Sequence, residues 1–184
     1  MSIRLGAERV REQQESLLDL LNSTPVVDGV TVDRLEDADT AAAWQRAHGG
    51  TGTAAERSHL LRVRDALQAV TWGEESWDSL APLLEGSSLH PRIEDSSRLV
   101  WELDAPAPKR LAAQCIMAWS DLQEAMPGRL RACANAHCRL FFIDRSKPNT
   151  ARWCSMAKCG NRMKAQRHYE RKRRTTHEAA EASE

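Results

Sequence analysis

Four of the five cysteines stand in two pairs that have the same internal spacing. Four residues separate the cysteines within each pair, and fifteen residues separate the pairs. Two close pairs of thiolates joined by a hairpin-sized spacer are typical of a structural zinc site, because each pair can bind the ion from one chain segment. Four sulfur ligands leave no open position for water, which disfavours a catalytic zinc. The pattern therefore predicts one structural Zn²⁺ ion bound by Cys133, Cys138, Cys154 and Cys159.

The residues around the cysteines predict how the two pairs are brought together. RLFFID favours a strand, RSKPN contains turn residues, TARWC returns the chain, and the residues after Cys154 favour a helix. A cysteine knuckle, a hairpin and a helix in this order predict a small treble-clef-like zinc finger. A module of this size buries too little surface to fold unaided, and zinc contributes about 10–16 kcal/mol of apparent folding free energy in finger peptides. We therefore expect the metal and the fold to be lost together.

The net charge of zero over the 184 residues hides a strong division. Residues 129–174 contain 14 Lys and Arg against 2 Asp and Glu, whereas residues 1–128 contain 12 against 21. A face that needs only solubility usually mixes both signs, so the basic segment favours a nucleic-acid partner. In the helix predicted after Cys159, basic residues at spacings of three and four share one face. The predicted nucleic-acid-binding residues are Arg145, Lys147, Arg152, Arg162, Lys164, Arg167, Arg171 and Arg174.

Duplex DNA is the favoured partner, and two alternatives stay open. An α-helix fits the DNA major groove, and Arg162, Lys164 and Arg167 lie in the first turns, which commonly approach the bases. An RNA-binding protein is one alternative, but single strands are usually bound by stacking on aromatic rings. We expect Trp153 and a Phe to pack around the zinc, which leaves Tyr169 alone for stacking. The other alternative is a protein-interaction adaptor, in which the acidic region of one chain binds the basic finger of another.

The segment RACANAHCRLFFIDRSKPNTARWCSMAKCGNRMKAQRHYERKR resembles the CGNR zinc-finger family of bacterial proteins. The family takes its name from the tetrapeptide that stands here as Cys159, Gly160, Asn161 and Arg162. The resemblance implies DNA-binding transcription regulation, with the four paired cysteines as zinc ligands. Within the tetrapeptide, Asn161 can bond a turn or a ligand thiolate. Arg162 can contact DNA or pair with Asp144, and the sequence favours neither.

The first 128 residues predict a mostly helical α+β domain with a β-hairpin. Helical periodicity marks residues 7–23, 37–50, 53–73 and 108–126, and a short helix is expected in SWDSLAPLLEG. Thr53 and Glu56 form a capping box at the start of the third helix. Alternation in SRLVWELD predicts a half-buried strand, paired with LHPRI. Cys115 falls on an apolar helical stripe, so we expect it in the core.

This region is similar to the ABATE domain, which precedes CGNR fingers in stress-induced transcription regulators. The similarity depends on LLDLLNST and DADTAAAWQRA, with Asp19, Asn22 and Ser23 in a D-x-x-N-[ST] arrangement. Asp19 and Asn22 lie one helical turn apart, so they can share a face. They mark either a helix end followed by a turn or a polar contact inside an effector pocket. We expect this domain to sense a small-molecule effector or to form a homodimer.

The sequence contains no residue set that predicts an enzyme. It has no phosphate-binding glycine loop, and its serines lack a His and an Asp at suggestive spacings. No run of about 18 apolar residues predicts a membrane span, and the N-terminus does not resemble a signal peptide. We therefore expect a cytoplasmic, nucleoid-associated protein that contacts no membrane. The predicted units are a domain at 1–128, the finger at 129–174 and a disordered acidic tail at 175–184.

Overall fold

The structure is a computed structural model that describes the backbone of residues 7–94 and 98–181, with side chains for residues 10–93 and 99–173. This part of the chain forms five α-helices and three antiparallel two-stranded hairpins. A 3₁₀ helix, Trp77–Leu84, and a π-helical turn, Met156–Gly160, complete it. The helices are α1 Ala7–Leu21, α2 Ala38–Ala47, α3 Ala54–Trp72, α4 Ala107–Ala125 and α5 Asn161–Glu181. The strands are β1 Val26–Val27, β2 Val30–Thr31, β3 Ser88–Glu94, β4 Arg98–Asp104, β5 Leu130–Ala132 and β6 Phe141–Ile143.

Local sequence signals fix several helix ends, as predicted. Asp37 caps α2, because its carboxylate accepts a hydrogen bond from the N–H of Thr40 at 2.8 Å. Thr53 caps α3 in the same way, and Gly73 ends that helix with a φ of 79°, a conformation that glycine tolerates. Pro82 has no N–H to donate, and the segment that contains it forms a 3₁₀ helix. In the described ranges, no helix combines the length and apolar character needed to cross a membrane.

Helices α1, α3 and α4 pack around the main apolar core. Each helix presents one apolar stripe to the other two, which is the arrangement that its periodicity predicted. Cys115 in α4 is 1% exposed, and burial raises the pKa of its thiol to about 12. Its assignment to the core is therefore confirmed. The buried core residues of these helices include Leu17, Leu20, Leu21, Leu60, Val63, Leu67, Leu111, Cys115, Ile116 and Leu122.

Strands β3 and β4 form the predicted hairpin. Leu89 lies opposite Leu103, and Ile93 lies opposite Leu99, so these apolar side chains share one face. Leu99 is nevertheless 51% exposed, whereas Val100, on the other face, is buried. The hairpin contacts α4 through β4. Its apolar face is thus more open to solvent than the sequence predicted.

Strand β6 has a different partner from the one predicted. It pairs with β5, so that Ala132 lies opposite Phe141, and not with the residues that precede Cys154. The residues between β6 and Cys154 fold into a compact loop, which Arg131 and Asp144 hold by hydrogen bonds. The predicted hairpin is therefore replaced by one that begins immediately after α4.

The β5–β6 hairpin is part of the same core as the helices. Phe141 is 2% exposed, and its ring centroid lies 5.0 Å from that of Trp72 in α3. Leu130 is also buried in this cluster. The first part of the predicted finger is consequently packed against the helical domain. No local sequence pattern indicates this contact, because it joins residues far apart in the chain.

Helix α5 extends beyond its predicted end. The sequence predicts a disordered tail from residue 175, but the helix continues through Glu181. Residues 178–181 are Glu and Ala, which have high helix propensity and allow the helix to propagate. The remaining tail residues, 182–184, lie outside the described residues.

Replacing Phe141 with alanine should destabilise the whole protein. Removal of a fully buried Phe ring from a core typically costs about 3–5 kcal/mol. The neighbouring Phe142 is half-buried, so Phe142→Ala is the matched control and should cost less. Urea unfolding, followed by tryptophan fluorescence, measures both free energies. Equal losses in the two variants would contradict the placement of Phe141 in a core shared with the helices.

Candidate metal centre and basic helix

The four paired cysteines converge beside the start of α5. Their sulfur atoms all lie within 4.8 Å of one another. Cys154 Sγ lies 3.8 Å from Cys138 Sγ and 3.7 Å from Cys159 Sγ. A disulfide requires an S–S distance of about 2.05 Å, so the cysteines are separate thiols. The structure therefore brings the predicted ligand set together: Cys133, Cys138, Cys154 and Cys159.

The sulfur positions fit a tetrahedral zinc ion. With Zn–S bonds of about 2.3 Å, the edges of a regular tetrahedron measure about 3.8 Å. The two measured separations, 3.7 and 3.8 Å, agree with this edge length. Cys133 and Cys159 are buried, and Cys138 and Cys154 are half-buried. All four positions around such an ion would be filled by sulfur, so the centre suits a structural role.

Asn135 supports the centre from between the first two cysteines. Its side chain is 1% exposed, and its Nδ2 donates a hydrogen bond to Cys159 Sγ at 3.4 Å. Its backbone oxygen accepts one from the N–H of Cys138 at 2.8 Å. Hydrogen bonds of this kind orient a ligand and stabilise its thiolate. The sequence left this role open for Asn161, whose amide donates instead to the carbonyl of Ala157.

The pKa values of the cluster thiols are shifted in different directions. Burial raises the pKa of Cys138 to about 11 and also raises the pKa of Cys154. Burial acts on Cys159 in the same direction, but hydrogen bonds from Asn135 and the other thiols outweigh it and lower the pKa of Cys159. A divalent cation among the sulfurs would favour the thiolate form of each cysteine. Metal binding should therefore release protons.

Backbone contacts join the two cysteine pairs to each other and to α5. Cys133 directly follows β5, and its N–H donates to the carbonyl of Leu140 at 2.8 Å. The N–H of Ala134 donates to the carbonyl of Arg152 at 2.8 Å, which links the segments of the two pairs. Cys159 lies in the π-helical turn that runs directly into α5. The metal centre therefore fixes the point at which α5 begins.

Asp144 and Arg131 fold the loop that precedes the second cysteine pair. Asp144 is 2% exposed and accepts hydrogen bonds from two backbone N–H groups of the loop, at 2.8 and 2.9 Å. Arg131 donates to three oxygen atoms of the loop at 2.9–3.0 Å and lies 3.6 Å from the Asp144 carboxylate. Because the carboxylate is buried in these contacts, Arg162 does not pair with it. Arg162 is exposed instead.

The residues predicted to bind nucleic acid lie on this loop and on α5. Lys147 and Arg152 are exposed, and the guanidinium of Arg152 lies 5.3 Å from the ring centre of Trp153. The guanidinium of Arg145 is tied to α1, because it donates to Oε1 of Gln14 at 2.9 Å. The side chain of Arg174 lies outside the described residues. The predicted residues that are exposed on α5 are Arg162, Lys164, Arg167 and Arg171.

Asn22 joins α1 to strand β6. Its Oδ1 accepts a hydrogen bond from the N–H of Phe141 at 2.7 Å, and its Nδ2 donates to the carbonyl of the same residue at 3.1 Å. Both backbone groups of a buried residue are thereby satisfied. Asp19 points elsewhere: its carboxylate is 63% exposed and lies 3.4 Å from Nε2 of His48. The two residues thus have different partners, and Asn22 lies in the turn that follows the end of α1, which is one of the two alternatives that the sequence left open.

The residues after Asn22 also make structural contacts. Ser23 Oγ accepts a hydrogen bond from Arg64 at 3.3 Å, and Thr24 Oγ1 accepts one from Gln68 Nε2 at 2.8 Å. Arg64 is 5% exposed and pairs with Asp33 at 2.7 Å, so its buried charge is compensated. Three successive residues therefore tie the end of α1 to β6 and to α3.

Cys154→Ser should remove tightly bound zinc from the protein. A serine hydroxyl is not a thiolate donor, and the remaining sulfurs cannot complete the tetrahedron. Cys115→Ala is the control, because Cys115 lies in the helical core and outside the cluster. We expect one zinc per chain in the parent and in the control by elemental analysis. An unchanged zinc content in Cys154→Ser would contradict the assigned ligand set.

Asn22→Ala should destabilise the protein far more than Asp19→Ala. The first change leaves the N–H and C=O of Phe141 buried without partners, and each orphaned group costs about 1–3 kcal/mol. The second change removes an exposed contact, which typically contributes about 0–1 kcal/mol. Urea unfolding gives both free energies. Similar small losses would show that Asn22 does not hold β6 in solution.

Two family descriptions match the chain. The ABATE family, described as "Putative stress-induced transcription regulator", matches residues 15–138, and the CGNR zinc finger matches residues 129–172. No curated protein matches the chain. The matched segments overlap at β5 and the first cysteine pair, where the finger packs into the helical core. The chain therefore belongs to the ABATE family of putative stress-induced transcription regulators, and it carries a CGNR zinc finger whose zinc site consists of Cys133, Cys138, Cys154 and Cys159.

Proposed function

We propose that the protein regulates transcription by binding duplex DNA through α5 and the adjacent loop. The observation that carries this proposal is the position of α5, which continues directly from the turn that contains Cys159 and exposes Arg162, Lys164 and Arg167. The helix has 21 residues, so it is about 30 Å long. An α-helix of this kind fits the major groove of B-DNA.

The charge of the finger favours a polyanionic partner. Its two acidic residues are already engaged, because Asp144 is buried in the loop and Glu170 accepts a hydrogen bond from Gln166 at 2.9 Å. The same segment contains 14 Lys and Arg. A zinc ion with four thiolates subtracts two charges, which leaves the finger strongly cationic. Phosphate groups would relieve the repulsion among these residues, and release of their counterions would favour binding.

The contacts of the finger would hold α5 in a defined orientation. Zinc, when bound, supplies a rigid link between the two cysteine pairs. Asn22, which follows α1, is hydrogen-bonded to β6. Gln14, in α1, accepts a hydrogen bond from Arg145 in the loop after β6. The finger is thus fixed at the metal centre and at the helical core. We place Arg162, Lys164 and Arg167 near the bases, and Lys147 and Arg152 near the phosphates.

Duplex DNA is preferred over single-stranded RNA because the finger presents few free aromatic rings. Trp153 is half-buried, and the guanidiniums of Arg152 and Arg167 lie 5.3 and 5.9 Å from its ring centre. Phe141 is buried in the core. Tyr169 is 69% exposed. One exposed ring makes a poor platform for successive bases, which usually stack on several aromatic side chains.

Affinity for duplex DNA should fall steeply as salt rises. For 6–10 phosphate contacts we expect a loss of about 10³- to 10⁵-fold between 50 and 200 mM salt. Lys164→Gln and Lys147→Gln should each weaken binding, and loss of the phosphate contact assigned to Lys147 should also reduce the salt slope by about 1. Arg62→Gln is the matched control, because Arg62 is exposed on α3. Fluorescence anisotropy with a labelled duplex measures all four proteins.

Three outcomes would count against the proposal. The first is absence of duplex binding at 50 mM salt by the zinc-loaded protein. The second is stronger competition by a structured RNA of equal charge, which would support RNA binding. The third is an assembly of several chains that added duplex leaves unchanged, as the adaptor alternative predicts.

A further inference from the structure

An open cleft lies between the ends of α3 and α4, on the helical domain. Its volume is about 620 Å³, which suits a small molecule. Val70 and Thr71 of α3 line one side, Trp119 and Gln123 of α4 line another, and Trp77 lies at the start of the 3₁₀ helix. Neither the metal centre nor the residues assigned to DNA contribute to it.

Two indole rings give the cleft an aromatic lining. Trp77 is 69% exposed, although burial of such a large apolar ring would be favourable. Trp119 is half-buried and also lines the cleft. The cleft therefore offers aromatic surface from two indole rings.

The cleft is also acidic. Glu75 and Glu124 line it, and none of the described residues that line it is a Lys or an Arg. Two carboxylates at the cleft disfavour anionic ligands. They favour a cation, which an aromatic face also attracts through its quadrupole.

We infer that this cleft binds a small organic cation, such as an alkylammonium compound. Trp77 and Trp119 would contact the apolar groups around the charged nitrogen, and Glu75 would compensate its charge. Combined aromatic and acidic linings of this type are suited to ammonium groups, because the charge is stabilised without strong hydrogen bonds.

The position of the cleft connects it to the finger. Leu130, the first residue of β5, also lines the cleft and lies opposite Ile143 of β6. Cys133 follows β5 directly. A ligand in the cleft would therefore contact α3, α4 and the hairpin that carries the first cysteine pair. The binding step itself does not depend on the proposed DNA contacts, so the two proposals can fail separately.

Choline chloride is a suitable probe, with 3,3-dimethyl-1-butanol as its uncharged isostere. The experiment titrates ¹⁵N-labelled, zinc-loaded protein and follows the indole N–H signals of the six tryptophans. We expect saturable shifts of the Trp77 and Trp119 signals with choline, and much weaker binding of the alcohol. The signals of Trp44 and Trp153 should stay in place. Sodium chloride at equal concentration controls for ionic strength.

Two variants test whether Trp77 and Glu75 contact choline. Trp77→Ala should weaken choline binding about tenfold and Glu75→Gln about threefold or more, within the range expected for cation–π and exposed charge contacts. Both residues are exposed, so the variants should fold. Glu36→Gln, an exposed carboxylate beyond the cleft, is the matched control. The inference is overturned if choline produces no saturable shift, if the alcohol binds equally well, or if Trp77→Ala binds choline as the parent does.

Discussion

Strand β6 packs into the helical core and, at the same time, helps to position a ligand of the metal centre. The ring of Phe141 is buried beside that of Trp72. The backbone N–H and C=O of Phe141 are both hydrogen-bonded to the side chain of Asn22. The carbonyl of the preceding residue, Leu140, accepts a hydrogen bond from the N–H of Cys133. A shift of β6 would therefore disturb the packing of the core and the position of a zinc ligand together. For this reason the finger is an extension of the helical domain, although its cysteine pattern alone resembles that of an independent module.

Helix α5 depends on the metal centre in another way. Its side chains are almost all exposed over residues 161–173, so little apolar packing holds it. It continues directly from the π-helical turn that contains Cys159, and Arg167 lies over the ring of Trp153. A zinc ion with four thiolates carries a net charge of about −2, which lies at the positive end of the helix dipole. The sulfur cluster thus both anchors the helix and stabilises its start.

The sequence predicted the features that depend on local patterns, and it missed those that depend on distant contacts. Caps such as Thr53 and glycines such as Gly73 mark helix ends within a few residues, and the cysteine spacing identifies the ligand set. The partner of β6 could not be predicted. Short loops connect RLFFID both to the segment before it and to the segment after it, so either segment could pair with it. The contacts of Asn22 and Asn135 could not be predicted for a similar reason, since each side chain bonds atoms that lie more than twenty residues away.

Cys115 has a practical consequence for thiol chemistry on this protein. Its sulfur is 1% exposed and is held in its protonated form by burial, so alkylating reagents and oxidants in solution have no access to it while the chain is folded. Every cysteine that such reagents modify in the native state then belongs to the finger. The number of labelled thiols per chain, read by mass spectrometry, becomes a direct count of how much of the sulfur cluster is unprotected by metal.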